Sequence, residues 1–178
     1  MKQQGFTLIE VITTTVIVLI ISSMSFDSMQ GLVQQSKAHS DFSDLLLQVR
    51  TTRQYAITHS QNAVLCPSRD STHCINDWKA PKLIFFDTND NKLRDFNEPI
   101  ERRFNAINSP NAKIKYPKTQ IRFNEQGVTH FFNGTLAYCL EDIVRGLVIS
   151  RVGRIRIAQD VNGDHIPDID KDKSVSCL

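Results

Sequence analysis

An excess of either charge is missing from the 178-residue sequence, where 21 basic residues against 19 acidic ones leave a formal net charge of +2. Attraction to a polyanion has to come from local clustering, because the overall balance steers nothing. Also missing is any CxxC or CxxH spacing among Cys66, Cys74, Cys139 and Cys177, which removes the usual zinc frameworks. The four cysteines read instead as two disulfides with three possible connectivities. The short gap from Cys66 to Cys74 favours a local bridge there and leaves Cys139 for Cys177. Such bridges require an oxidising compartment such as a periplasm. No G-x-S-x-G, H-E-x-x-H or phosphate loop occurs, and His39, His59, His73, His130 and His165 fall in no metal or nucleophile motif. Catalysis is therefore not expected, and no cofactor is implied. There is no repeat and no low-complexity tract, and the length supports one ordinary globular domain with an appendage.

What is present begins at the N-terminus, MKQQGFTLIEVITTTVIVLIISSM. From Phe6 to Ile21 only Thr and Glu10 interrupt the apolar residues. Carried on as a helix through Phe26, the run reaches about 20 residues or roughly 30 Å, one bilayer crossing. A carboxylate inside such a span costs roughly 2.5 to 3.5 kcal/mol on insertion scales, so Glu10 calls for a partner charge or a function. A secretory signal is cut after its apolar core, at small residues. No such site follows this run, and the candidate processing point is Gly5, ahead of it, behind a short leader with Lys2.

Beyond the span, Phe42, Leu45, Leu46, Val49, Ala56 and Ile57 recur at helical spacing, with Arg50, Arg53 and Gln54 between them. One long helix is predicted, with Gly31 weakening it by about 1 kcal/mol relative to Ala and allowing a bend. From Asn62 the pattern changes to short strand-like runs: NAVLC, KLIFF, PIERRF, AKIKY, QIRF, VTHFF, TLAYCL, RGLVIS and RIRIA. The expected organisation is a leader at 1–5, a transmembrane helix half at 6–28, an amphipathic helix half at 29–60 and a β-rich head with two disulfides at 61–178.

G-F-T-L-I-E at positions 5 to 10 resembles the type IV prepilin signature. That resemblance implies cleavage by a prepilin peptidase between Gly5 and Phe6, and methylation of the new N-terminal Phe6. It also implies an assembly role for Glu10, whose carboxylate pairs with the Phe6 ammonium of an adjacent subunit. Further on, VLCPSRDSTHC, Trp78, LIFFDTNDN, Asp95, Glu98, IRFNEQG, Cys139 and GLVISRVGRIRI resemble the ordered landmarks of the GspH/FimT family of minor pilins and pseudopilins. The family implies an α+β fold, a long N-terminal helix packed on two small antiparallel sheets. It implies other pilins as partners, and residence in the bacterial inner membrane by a single pass, with a periplasmic head, before entry into a pilus or pseudopilus. Trp78 reads as core or loop packing.

SRVGRIRIAQ carries the sharpest functional signal outside the N-terminus. If 154–158 is extended, Arg154 and Arg156 share one face and Ile155 and Ile157 the other, with the two guanidiniums roughly 6 to 7 Å apart. Arg151 and Arg145 are near in sequence, and Gly153 permits a bend or a close backbone approach. Such a row can contact successive phosphates, or it can be a solvated strand face balanced by Glu141 and Asp142. The GRxR pattern of Gly153, Arg154 and Arg156 resembles the C-terminal motif tied, in FimT-type minor pilins, to DNA binding during natural transformation. Nothing resembles a base-reading module, so double-stranded DNA would be held by its phosphates, independent of sequence and sensitive to salt. Lys113, Lys115 and Lys118 are candidates to enlarge the patch. The alternative is a type II secretion pseudopilin, or a pilus-priming subunit that contacts only other pilins.

Two acidic stretches complete the reading. In DTNDNKLRDFNE the positions Asp87, Asn89, Asn91, Asp95 and Glu98 have calcium-loop spacing, but Lys92 stands where that loop needs Gly. DVNGDHIPDID repeats the theme with Asp160, Asn162, Asp164 and Asp168. Both are expected as Asx-rich loops, the second closed by the 139–177 bridge, and no metal ligand is assigned.

Overall fold

The computed structural model describes residues 5–170 and 173–177, leaving aside the side chains of 23–28 and 30. The expected leader, apart from Gly5, lies outside the described residues. The fold is α+β; among the described residues one long helix α1 (Leu8–His59) is followed by ten short strands. The chain divides into two compact units, 1–37 and 38–178.

In the first unit α1 carries its apolar residues outward, with Leu8, Ile9, Val16, Leu19 and Ile21 all exposed. Its threonines satisfy their own hydroxyls: Thr13 donates to the Ile9 carbonyl at 2.9 Å and Thr14 to that of Glu10 at 2.9 Å. Back-bonding of this kind hides the polar group in an apolar helix. Among the described residues no helix is long and apolar enough to cross a membrane; the run whose side chains are described stops at Ser22.

In the second unit α1 buries Ala38, Phe42, Leu45, Val49, Thr52 and Ala56, a stripe stepping alternately by four and three residues. Strands β1 (Ala63–Pro67), β2 (Lys82–Phe86), β3 (Ile100–Phe104) and β5 (Ile121–Phe123) form an antiparallel sheet in the order β3-β2-β1-β5. Strands β4 (Lys113–Lys115), β6 (Gly134–Leu140), β7 (Ile143–Ile149) and β8 (Ile155–Ile157) form a second, in the order β4-β6-β7-β8. Alternation sends Leu65, Ile84 and Phe123 of the first sheet, and Leu136, Tyr138 and Leu147 of the second, into one core with the helix stripe. Trp78 is buried there, stacked edge-on with Tyr116 at 5.1 Å and donating from Nε1 to the Lys118 carbonyl at 3.0 Å.

Two features depart from the sequence reading. VTHFF is not a strand. The Thr129 and His130 amides donate to the Arg151 carbonyl, His130 takes a positive φ of 45°, and His130–Phe132 closes as a 3-10 turn. A third, two-stranded sheet also exists, β9 (Asp168–Asp170) with β10 (Lys173–Ser174), in a segment expected to be loop. It holds Val175 over Ala137 and Ala158 on the outer face of the second sheet. Disulfides join Cys66 to Cys74 and Cys139 to Cys177, the latter tying this C-terminal segment to β6.

Candidate functional site

The arginine motif occupies the turn between β7 and β8. Ile149 pairs with Ile155, and Ser150 and Arg154 close the loop: the Ser150 amide donates to the Arg154 carbonyl at 3.0 Å and the Arg154 amide to Ser150 Oγ at 3.0 Å. Three residues, Arg151, Val152 and Gly153, make the turn, and Gly153 takes the left-handed φ of 78° that such loops place at their last position. A Cβ at Gly153 would collide with the backbone carbonyl of Gly127. That carbonyl also accepts from Arg53 Nε of α1 at 3.1 Å. The turn bearing Gly127 is itself held by Asn124, whose side-chain oxygen accepts the Val128 amide at 2.8 Å. Helix, turn and hairpin therefore meet at one oxygen.

Around this junction lies a groove of about 490 Å³, lined by Arg50, Arg53, Gln54, Val152, Gly153, Arg154 and Ile155. Arg50, Arg151 and Arg154 are exposed and Arg53 is half-buried. Among the described residues no carboxylate pairs with any of the four; the ion pairs bring together Arg69 with Asp77, His73 with Asp70, and Arg122 with Asp87 and Asp90. Glu141 and Asp142, weighed as the balancing acids, sit at the far end of β7, where Leu140 pairs with Ile143. Seven strand residues separate that end from the arginine turn, roughly 20 Å. Glu141 accepts from the Asn111 amide at 2.6 Å instead.

The expected solvated row is divided. Arg156 shares a face with Val148, the face covered by the C-terminal segment, and its Nη2 donates to the Ile169 carbonyl. It is half-buried, whereas Arg154, just ahead of β8, is free of side-chain partners among the described residues. Arg145 lies over the Phe42 ring at 6.0 Å, towards the core. Lys113 and Lys115 are on β4, the opposite edge of the sheet from β8, and Lys118 sits over Phe132 at 6.0 Å. Arg50 and Arg53, which the motif does not include, are the residues the structure adds. Their i, i+3 spacing marks them as neighbours on α1, but no local signal says that this face meets the hairpin.

The acidic loops are closed by their own bonds. Asp87 accepts the Lys92 amide at 2.9 Å and faces Arg122 at 3.5 Å, while Glu98 accepts the Thr88 amide at 2.8 Å and the Asp95 amide at 3.1 Å. Asp95 in turn accepts the Asn89 and Asn91 side chains at 2.7 and 2.8 Å. Asp160 accepts the Gly163 and His165 amides, which holds its carboxyl below the usual range. Among the described residues no group of three His, Cys, Asp or Glu side chains is placed to hold a metal ion. At the other end of the chain Phe6 and Glu10 are exposed, and the Glu10 amide donates to Thr7 Oγ1 at 3.4 Å, capping α1.

The family model for the type II transport protein GspH matches residues 42–153, and that for the prokaryotic N-terminal methylation motif matches residues 1–26. No curated protein matches the chain. Two crystal structures of the type IV minor pilin FimU of Pseudomonas aeruginosa resemble it, with TM-scores of 0.54 and 0.51, each at 18% identity. They cover 73% and 70% of this chain and 91% and 92% of their own. At that identity the likeness is one of fold. The GspH match ends at Gly153, so Arg154 and Arg156 stand just beyond it.

Proposed function

The chain belongs to the GspH family, and is thus a minor pilin or pseudopilin; from that premise we propose that it takes part in type IV pilus assembly and binds extracellular DNA for uptake. The observation that carries the DNA reading is the exposed pair Arg151 and Arg154, held out on the Gly153 turn with no carboxylate partner among the described residues. An uncompensated cationic cluster is a standing attraction for phosphates, and guanidinium forks suit them. Arg156 belongs to the motif but is tethered to Ile169, so it positions β8 as well as adding charge. Nothing in the groove is arranged to read base edges, so the interaction is with the backbone of duplex DNA of any sequence.

The test is titration of the full-length protein in detergent micelles with random duplex DNA over a range of salt, beside a variant carrying Arg151→Gln, Arg154→Gln and Arg156→Gln. Each lost phosphate contact flattens the slope of log affinity against log salt by about 0.9. Three contacts correspond to about 2.7, and two, if Arg156 stays with Ile169, to about 1.8. An unchanged slope overturns the DNA reading.

The description of the matching family as a type II transport protein favours a second reading, a secretion pseudopilin or a pilus-priming subunit that contacts only other pilins. A deletion strain separates the two: normal piliation with lost DNA uptake supports the first, lost secretion or lost pili the second. In either case the proposed organisation is a leader at 1–5 removed between Gly5 and Phe6 by a prepilin peptidase, a membrane-crossing half of α1 at 6–28, its amphipathic half at 29–60 and a periplasmic head at 61–178. The exposed apolar residues from Leu8 to Ile21 and the match to the methylation motif support it.

A further inference from the structure

We infer that Arg50 and Arg53 of α1 act with Arg154 as one phosphate-binding groove, so that a DNA strand is gripped between the helix and the β7–β8 hairpin rather than by the hairpin alone. This rests on the DNA-binding reading above and extends it to residues outside the GRxR motif.

Three guanidiniums from two elements line the same groove, and among the described residues none has a carboxylate partner. Like charges this close repel, and on a helix an i, i+3 pair of arginines is a net cost unless an anion relieves it. The arrangement is nonetheless built firmly. Arg53 spends its Nε on the Gly127 carbonyl, which fixes the guanidinium, and Gly153 has no Cβ to keep the hairpin from that same carbonyl. Arg50 makes no hydrogen bond or ion pair among the described residues, so its whole fork is available. The remaining wall suits a sugar-phosphate chain better than an isolated ion: Gln54 supplies a neutral amide, while Val152, 70% exposed, and Ile155 supply apolar surface beside the charges. A strand lying along the groove meets Arg50 and Arg53 on one side and Arg154 on the other.

The experiment is fluorescence anisotropy of the full-length protein in detergent micelles with a labelled random duplex, at several salt concentrations, for Arg50→Gln, Arg50→Lys, Arg53→Gln and Arg154→Gln. Arg50→Gln is the decisive change, because this side chain is exposed and holds nothing in place. Arg53→Gln also removes a bond to the Gly127 turn, so its melting temperature is measured alongside. We expect Arg50→Gln to flatten the salt slope by about 0.9, as Arg154→Gln does, and Arg50→Lys to keep the slope near that of the wild type. If Arg154→Gln flattens the slope while Arg50→Gln leaves slope and affinity unchanged, DNA binding stands and the shared groove is overturned. If the wild type binds no DNA even at low salt, the DNA reading falls and the groove falls with it.

Discussion

Lys82 is a cation buried in β2, 1% exposed, with its ammonium donating to the Ala80 carbonyl at 3.1 Å. Burial lowers its pKa from 10.5 to about 8, against a smaller opposing pull from Asp77. Below pH 8 the side chain is protonated in both folded and unfolded chains, so the penalty of burying the charge is present in full. Between about 8 and 10.5 the unfolded chain holds a proton that the folded one has released, and stability rises with pH. Integrated over that window the gain is about 3 kcal/mol. Lys82→Met is therefore expected to stabilise the protein at pH 7 and to flatten the rise between pH 8 and 10, read by urea unfolding at each pH. A variant that is less stable at pH 7 would show that the Ala80 bond outweighs the desolvation of the charge.

The hairpin that carries Arg151 and Arg154 depends on one backbone conformation. In Gly153→Ala the φ of 78° costs about 1 to 3 kcal/mol, and the new Cβ has a carbonyl, not a flexible side chain, in its way. The expected result is a lower melting temperature together with weaker DNA binding, since the hairpin must lift off Gly127; a variant with both unchanged would remove the close packing from the account. Elements differ in how plainly the sequence announces them. The stripe from Phe42 to Ala56 was legible because its period is that of a helix face. Strands β1 and β2 were legible as short apolar runs, β2 behind its leading Lys82, because both of their faces are buried. VTHFF has strand composition, yet its backbone is captured by Arg151, a partner distant in sequence. β9 and β10 are three and two residues long and largely charged or polar, too short for any period. The site follows the same rule. Gly153 and the exposed arginines could be named from spacing, whereas the tether of Arg156 to the Ile169 carbonyl and the approach of Arg50 and Arg53 depend on contacts across the fold.

From Leu8 to Ile21 the helix exposes an apolar surface, and a net charge of +2 gives the chain little electrostatic reason to stay apart from its neighbours. On the organisation proposed above, that surface meets lipid before assembly and other pilins after it. Glu10 puts a carboxyl side chain within it, and the cost of a carboxylate there is removed where a cation is supplied, which the processed Phe6 ammonium of an adjacent subunit would do. A carboxylate of this kind contributes little to holding subunits together in bulk but penalises every register that leaves it unpaired. Glu10→Ala should then enter the membrane at least as readily as the wild type, because a cost of roughly 2.5 to 3.5 kcal/mol disappears, yet be depleted from filaments. The measurement is the ratio of protein in the sheared filament fraction to protein in the membrane fraction. The head of the variant should keep its melting temperature and its DNA salt slope, since Glu10 belongs to the other compact unit. A wild-type ratio would rule out the pairing with Phe6, and a lost membrane fraction would place the role of Glu10 in insertion or processing instead of register.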